Sequence, residues 1–125
     1  MFENTAVEQD IDLPSLPDMV RTLYQQLLSD ASLKPDHYTF GTVLKAIGNL
    51  FWGEPDQIEF CKQVFEEACQ RGYVSFGVLV QLRQAAPSDV YRSLLPANAY
   101  NPKNDHVIMK HIPKDWKRNI RDERS

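Results

Sequence analysis

A tyrosine and a lysine of one predicted helix, with a glycine between them, have the chemistry and the spacing to hold a nucleic-acid strand. Tyr38, Gly41 and Lys45 follow one another at steps of three and four, which places them on a single helical face. Gln81 holds the corresponding position in a later helix. An aromatic ring can stack on a base and an ammonium group can pair with a phosphate. The alternative is an ordinary solvated helix face, because exposed Tyr and Lys side chains are common on helices.

The spacing of histidines, cysteines and carboxylates in the sequence supports neither a metal site nor a catalytic nucleophile. The chain has three histidines, and none falls with cysteines or carboxylates at metal-ligand spacing: His37, His106 and His111. Glu66 and Glu67 are adjacent in a predicted helix and therefore point apart. No glycine-rich phosphate loop and no nucleophile paired with a base is recognisable. The sequence predicts a protein that is not an enzyme, with no cofactor, no metal and no small-molecule substrate.

The two cysteines are predicted to be free thiols. Cys61 and Cys69 lie eight residues apart in one predicted helix, a rise of about 12 Å. The Cα atoms of a disulfide lie within about 7 Å of each other. A pair of unpaired cysteines is typical of a reducing compartment.

Composition places the chain among single-domain folded proteins. It has 125 residues, of which 42% are hydrophobic and 25% charged, and its net charge is −3. Its apolar runs are far shorter than the roughly 20 residues of a membrane helix, so no membrane insertion is expected. Acidic residues dominate up to Asp36, whereas basic residues dominate from Lys103 onward. The basic tail is interpreted as a solvated, partly frayed terminus rather than a phosphate-binding arm.

Apolar periodicity predicts the helices that position these residues, and no strand period is visible. The predicted helices span about 17–29, 37–50, 55–71 and 76–85. A stop and restart at 87–89 gives a short fifth helix, followed by a loop over 96–111 and a last short helix from Pro113. Ser15 and Asp36 are predicted N-caps, and Gly72 is a predicted left-handed stop. The inward stripes include Leu16, Met19, Leu23, Phe40, Leu44, Ile47, Ile58, Val64, Phe65, Phe76, Leu79, Leu82, Tyr91, Trp116 and Ile120. The predicted class is all-α.

An internal repeat refines this prediction. The segment 38–44 is echoed by 74–80 at a displacement of 36 residues, with one partner helix between the two. The unit is therefore an antiparallel helix–turn–helix pair, and such units bury their apolar faces only by stacking. The sequence predicts a short α-solenoid or helical bundle with an irregular C-terminal cap. Its parts are an acidic flexible N-terminus (1–15), a repeat region (16–86), and a cap with a basic tail (87–125).

The repeat resembles the pentatricopeptide repeat family. The run from Lys34 through Pro35-Asp36, Thr39-Phe40 and Val43-Leu44 is similar to that family's junction between units. The segment 64–72 looks like the end of its second helix, and 112–120 is similar to the tail of some algal members. The resemblance implies binding of single-stranded RNA, about one base per repeat, in a mitochondrion or plastid.

The resemblance also assigns positions to this chain. The base-packing positions would be Tyr38 and Val74, and the base-reading positions Gly41 and Gly77, with a second reading position near 71–72. The family role is sequence-specific, with polar side chains that read the bases. Glycine has no side chain with which to read a base, so this sequence departs from the family pattern at these positions, and its residues predict contact that does not depend on base sequence. Tyr38, Gly41, Lys45 and Gln81 are the predicted RNA-binding residues. A protein–protein scaffold or a structural subunit of an organellar complex, recruited through exposed repeat ends, is the alternative.

Overall fold

Helices build most of the fold in the computed structural model, which describes residues 13–121. In chain order they are α1 (Leu16–Ser29), α2 (His37–Leu50), α3 (Gln57–Arg71), α4 (Phe76–Ala85) and α5 (Ser88–Leu94), followed by two 3-10 turns at Met109–His111 and Lys114–Lys117. Between residues 13 and 121 the strand-like pairing is a single bridge from Tyr100 to Val107. The all-α prediction is confirmed. Most of the predicted acidic N-terminus lies outside the described residues.

Short polar side chains set the starts of α1 and α2, as the sequence predicts. The Ser15 hydroxyl accepts a hydrogen bond from the Asp18 backbone N–H at 3.2 Å. Asp36 accepts from the Thr39 N–H, and the Thr39 hydroxyl accepts from the Asp36 N–H, which completes a capping box. These bonds satisfy backbone donors that have no partner inside the helix. The first residue of α2 is thereby fixed directly before Tyr38.

The core forms where α2 crosses α4 and α3 closes the layer. At the crossing, a Cβ on Gly48 would come within 3.4 Å of the Ala85 Cα, so the missing side chain allows the close approach. Further buried apolar residues come from every helix and from the C-terminal segment: Tyr24, Phe40, Leu44, Ile47, Phe51, Phe60, Val64, Phe65, Val78, Leu79, Leu82, Tyr91, Leu95, Ala99, Met109 and Ile112. The cap therefore shares one core with the helical repeat region.

Several predicted core positions are wrong. Ile58 and Phe76 are exposed, and Phe60 and Val78 take inward positions on the same helices. Phe76 is the first residue of α4, where it lies at the edge of a shallow cleft beside Leu79. On α1, the residues Leu16, Met19 and Leu23 are exposed as well, and Tyr24 is the helix's buried side chain.

The C-terminal segment is packed rather than frayed as far as residue 120. The Val74 N–H donates to the Trp116 carbonyl at 2.9 Å, and the Asn119 N–H donates to the Gly72 carbonyl at 3.0 Å. The Trp116 ring meets Phe65 edge-on at 5.6 Å. The fraying predicted for the basic tail is wrong as far as residue 120, although most of its basic side chains are exposed as predicted, and the predicted last helix is a 3-10 turn. The C-terminal segment instead packs on α3 and on the start of α4 through the contacts of Trp116 with Phe65 and Val74.

Gly72 ends α3 in the left-handed conformation that the sequence predicts, with φ at 76°. A Cβ at this position would lie 2.6 Å from the Arg118 Cγ, so Gly72→Ala adds a clash to the backbone strain. We expect the variant to lose about 1–3 kcal/mol of unfolding free energy in urea denaturation. Gly53→Ala is the matched control, because Gly53 also has a positive φ but faces open space. Equal losses in the two variants would show that the Arg118 contact is unimportant.

A second turn is held by Asp105, which adopts a φ of 64°. Its carboxylate accepts hydrogen bonds from the Ser88 hydroxyl at 2.5 Å and from the Arg92 Nε at 2.6 Å. Its backbone carbonyl accepts from the Tyr91 hydroxyl at 2.9 Å. These contacts fasten the 96–111 segment to α5. The hydrogen bonds from Ser88 and Arg92 hold the pKa of Asp105 below its ordinary value.

The lowered pKa of Asp105 predicts a loss of stability in acid. Because the folded state favours the ionised carboxylate, its contribution is present above the unfolded pKa of about 4 and is lost as the pH falls through the folded value. We expect the thermal unfolding midpoint of the wild type to decrease as the pH is lowered from 5 to 3. The decrease should be smaller in the Asp105→Asn variant. Asparagine tolerates the left-handed backbone, so the variant removes the charge and keeps the turn. Identical acid profiles for the two proteins would contradict this role of Asp105.

No helix in the described range, residues 13–121, is long and apolar enough to cross a membrane.

Candidate nucleic-acid interface

A shallow groove lies between α2 and α4 and gathers the predicted site residues. It has a volume of about 250 Å³ and is lined by His37, Tyr38, Gly41, Thr42, Lys45, Ser75, Gly77, Val78 and Gln81. We call it the α2–α4 groove. The sequence places Tyr38, Gly41 and Lys45 on one helical face, and the packing of α4 brings Gln81 to the same groove.

Tyr38 forms the aromatic side of the α2–α4 groove. Its side chain is 75% exposed, because α2 turns Phe40 and Leu44 toward the core and leaves Tyr38 on the outside. Its ring lies beside the His37 imidazole, with the centroids 4.1 Å apart and the planes inclined by 35°. His37 thus supports one side of the phenol and leaves most of the ring open to a stacking partner.

The floor of the α2–α4 groove lacks bulky side chains. A Cβ built on Gly41 would lie 4.0 Å from its nearest neighbour, the Val78 Cγ2. A Cβ built on Gly77 would lie 3.7 Å from the Ser75 Oγ. The two glycines therefore leave space for a flat group to approach the helix backbones. They offer no side-chain donor or acceptor.

Gln81 supplies the polar group of the floor. Its Oε1 is buried and has no hydrogen-bond partner within the described structure, although the residue as a whole is partly exposed. A buried carbonyl oxygen without a partner costs about 1–3 kcal/mol, so a turn of this side chain that brings the oxygen into the groove is favoured when a ligand offers it a donor. Ser75 is already engaged, because its hydroxyl caps α4 by accepting from the Val78 N–H.

The charge of the α2–α4 groove suits an anion. Lys45 is exposed beside it, and no Asp or Glu is among the residues that line it. The chain as a whole is acidic, with a net charge of −3. The groove is therefore a local exception, and its lysine can pair with a phosphate without a neighbouring carboxylate that competes for it.

Two positions assigned by the family resemblance lie elsewhere. Val74 is fully buried, and its N–H is bonded to the Trp116 carbonyl, so its assignment as a base-packing residue is wrong. Arg71 and Gly72 do not line the α2–α4 groove; Arg71 pairs with Glu67, and the C-terminal segment covers Gly72. The 36-residue echo therefore fails in surface chemistry at Tyr38 and Val74, although Gly41 and Gly77 both line the groove.

Sequence reasoning missed four of the lining residues: His37, Thr42, Ser75 and Val78. Thr42 lies four residues after Tyr38, so the helical period could have placed it on the flank of the same face.

The cysteines have the environment of core residues. Burial raises the pKa of the Cys61 thiol to about 11, and burial together with Glu66 raises that of Cys69 to about 12. Both are free, as predicted, and the Cys61 Sγ donates to the Ala85 carbonyl at 3.4 Å. Both thiols stay protonated at neutral pH. Within residues 13–121, no group of three or more His, Cys, Asp or Glu side chains is arranged to hold a metal ion.

Comparison of the chain with protein-family models, with curated proteins and with solved structures finds no match. The resemblance to pentatricopeptide repeats therefore stays a prediction made from the residues.

Proposed function

We propose that this chain is a non-catalytic, pentatricopeptide-like helical module that binds single-stranded RNA through the α2–α4 groove. The observation that carries the proposal is the juxtaposition of an exposed aromatic ring, an exposed lysine and a glutamine side chain along a groove that no carboxylate lines. These are the elements of a stacking and phosphate-pairing surface. The module acts in RNA metabolism of a mitochondrion or plastid, as the family resemblance implies.

Binding in the α2–α4 groove is proposed to depend little on base sequence. Gly41 and Gly77 carry no group that distinguishes one base edge from another, and Tyr38 can stack on any base. Gln81 offers both an acceptor and a donor, so it can meet more than one base edge. The proposed ligand is an unpaired strand, because the bases of a duplex are not free to stack on a side chain.

A titration of fluorescently labelled, unstructured RNA over a series of salt concentrations tests the proposed function. We expect binding at low salt that weakens as salt rises, since each phosphate contact to a single strand contributes about 0.7 to the logarithmic salt slope. A duplex of the same sequence is the control and should bind more weakly. Absence of binding to the single strand even at low salt would overturn the proposal.

A protein-binding scaffold or a structural subunit of an organellar complex is the second candidate function. It is favoured by a separate observation, the exposed apolar side chains of α1. Two results together would support this candidate. The wild type would not bind RNA at low salt, and substitutions in α1 would abolish its binding to a protein partner.

A further inference from the structure

The last eight described residues carry an excess of positive charge that the α2–α4 groove does not use. Residues 114–121 have four of the chain's 14 basic residues and one of its 17 acidic residues. The basic residues are Lys114, Lys117, Arg118 and Arg121. We call residues 114–121 the basic segment. In a chain with a net charge of −3, such a cluster is a local surface that attracts an anion.

The basic segment is fixed against the rest of the fold, so its charges have defined positions. The Asn119 side-chain amide donates to the Arg71 carbonyl at 2.7 Å. The Lys117 ammonium donates to the Met109 carbonyl at 2.9 Å. A segment that is already ordered loses less conformational entropy when it binds a ligand than a free terminus does.

Two charges of the basic segment are available to a ligand. Lys114 and Arg121 are exposed, and within residues 13–121 neither forms an ion pair. The acidic residue of the segment, Asp115, is paired with Arg118 at 3.4 Å. A phosphate that reaches Lys114 or Arg121 therefore has no carboxylate of the described chain to displace.

The two helices of the α2–α4 groove run in the same direction and in step. A Cβ built on Gly41 would contact Val78, and a Cβ built on Gly48 would contact Ala85. The two partners are 37 residues apart in both contacts. Equal separations indicate parallel helices, because the separations would differ between antiparallel helices. The starts of α2 and α4 therefore lie at the same end of the groove.

The basic segment adjoins this end of the α2–α4 groove. The Val74 N–H donates to the Trp116 carbonyl at 2.9 Å, and Val74 directly precedes Ser75, which lines the groove. Tyr38 is the second residue of α2 and belongs to the same end. A strand that pairs with Lys45 and stacks on Tyr38 therefore runs toward the basic segment as it leaves the groove.

We infer that the basic segment binds the phosphates of the RNA strand where it leaves the α2–α4 groove at the Tyr38 end. The inference rests on the proposed function and adds a second contact surface to it. An RNA strand suits the segment better than an anionic membrane, because a membrane-surface segment also presents exposed apolar side chains. The apolar residues of the basic segment are Trp116 and Ile120, and both are half-buried.

The double variant Lys114→Gln with Arg121→Gln tests this contact in a titration of labelled single-stranded RNA over a series of salt concentrations. Its logarithmic salt slope should fall by about 1.4, since each phosphate contact to a single strand contributes about 0.7. Lys103→Gln with Lys110→Gln is the matched control, because it removes two exposed lysines outside the basic segment and the α2–α4 groove. This control should keep the wild-type slope, and so should the charge-preserving variant Lys114→Arg with Arg121→Lys. Circular dichroism melts establish that each variant is folded.

Three results would overturn the role of the basic segment while the proposed function stands. The first is an unchanged salt slope in Lys114→Gln with Arg121→Gln. The second is an equal fall of the slope in the matched control, because the loss would then follow net charge alone. The third is binding to vesicles of phosphatidylserine and phosphatidylcholine that this variant abolishes while its RNA binding stays at the wild-type level, which would assign the segment to a membrane.

Failure of the proposed function gives a different pattern. If Tyr38→Ala with Lys45→Ala keeps wild-type affinity and Lys114→Gln with Arg121→Gln abolishes binding, the groove is not the site and the basic segment alone holds the RNA. Absence of RNA binding by the wild type even at low salt would overturn both the proposed function and the role of the basic segment.

Discussion

The double variant Tyr38→Ala with Lys45→Ala should bind single-stranded RNA far more weakly than the wild type while its thermal midpoint stays the same. Loss of one stacked base costs about 1–3 kcal/mol, which is roughly a 5- to 150-fold loss of affinity. Tyr38 is 75% exposed and Lys45 is exposed, so the folded core does not need either side chain.

Single variants separate the two contributions to RNA binding. Tyr38→Phe keeps a ring of nearly the same size, so its affinity should remain within a few-fold of the wild type. Lys45→Ala removes one phosphate contact, so its logarithmic salt slope should fall by about 0.7. A salt slope that is unchanged in Lys45→Ala would remove this lysine from the site.

The matched control for the double variant is Trp52→Ala with Lys110→Ala. It also removes one exposed aromatic ring and one exposed lysine, but neither residue lines the α2–α4 groove. This control should keep wild-type affinity for RNA. If both double variants lose affinity equally, binding is a general property of the surface and the α2–α4 groove is not the site.

Helix positions were predictable because the signals that set them are local. The Ser15 and Asp36 caps and the left-handed Gly72 act within one turn of the chain, so composition and spacing revealed them. The shared face of Tyr38 and Lys45 was predictable for the same reason, since the helical period alone fixes it.

Burial was less predictable because it depends on which neighbour each face meets. The apolar period of α1 is regular, yet Leu16 and Leu23 stay exposed because the described structure has no element on that side. Val74 repeats Tyr38 in sequence, but the C-terminal segment covers it through Trp116. That segment folds back over more than 40 residues of chain, and no short-range pattern encodes such a contact.

The two phenylalanines of the sequence repeat should therefore differ sharply in their effect on stability. Phe40 is fully buried, and Phe40→Ala should cost about 3–5 kcal/mol of unfolding free energy, a large part of the total for a domain of this size. Phe76 is 47% exposed, so Phe76→Ala should cost about 1 kcal/mol. Urea denaturation of the two variants measures both values.

Comparing these two losses of unfolding free energy also tests whether the sequence repeat is a repeat in the structure. In a regular stack of equivalent units, the same position of successive repeats meets the same neighbours, and the two substitutions would cost similar amounts. Here α2 lies between α1 and α4, whereas α4 is followed by the short α5 and the irregular C-terminal segment. Phe40 is enclosed on both sides and Phe76 is not. Equal losses would mean that α4 occupies a regular repeat position in solution, which would also turn Phe76 inward and reshape the floor of the α2–α4 groove.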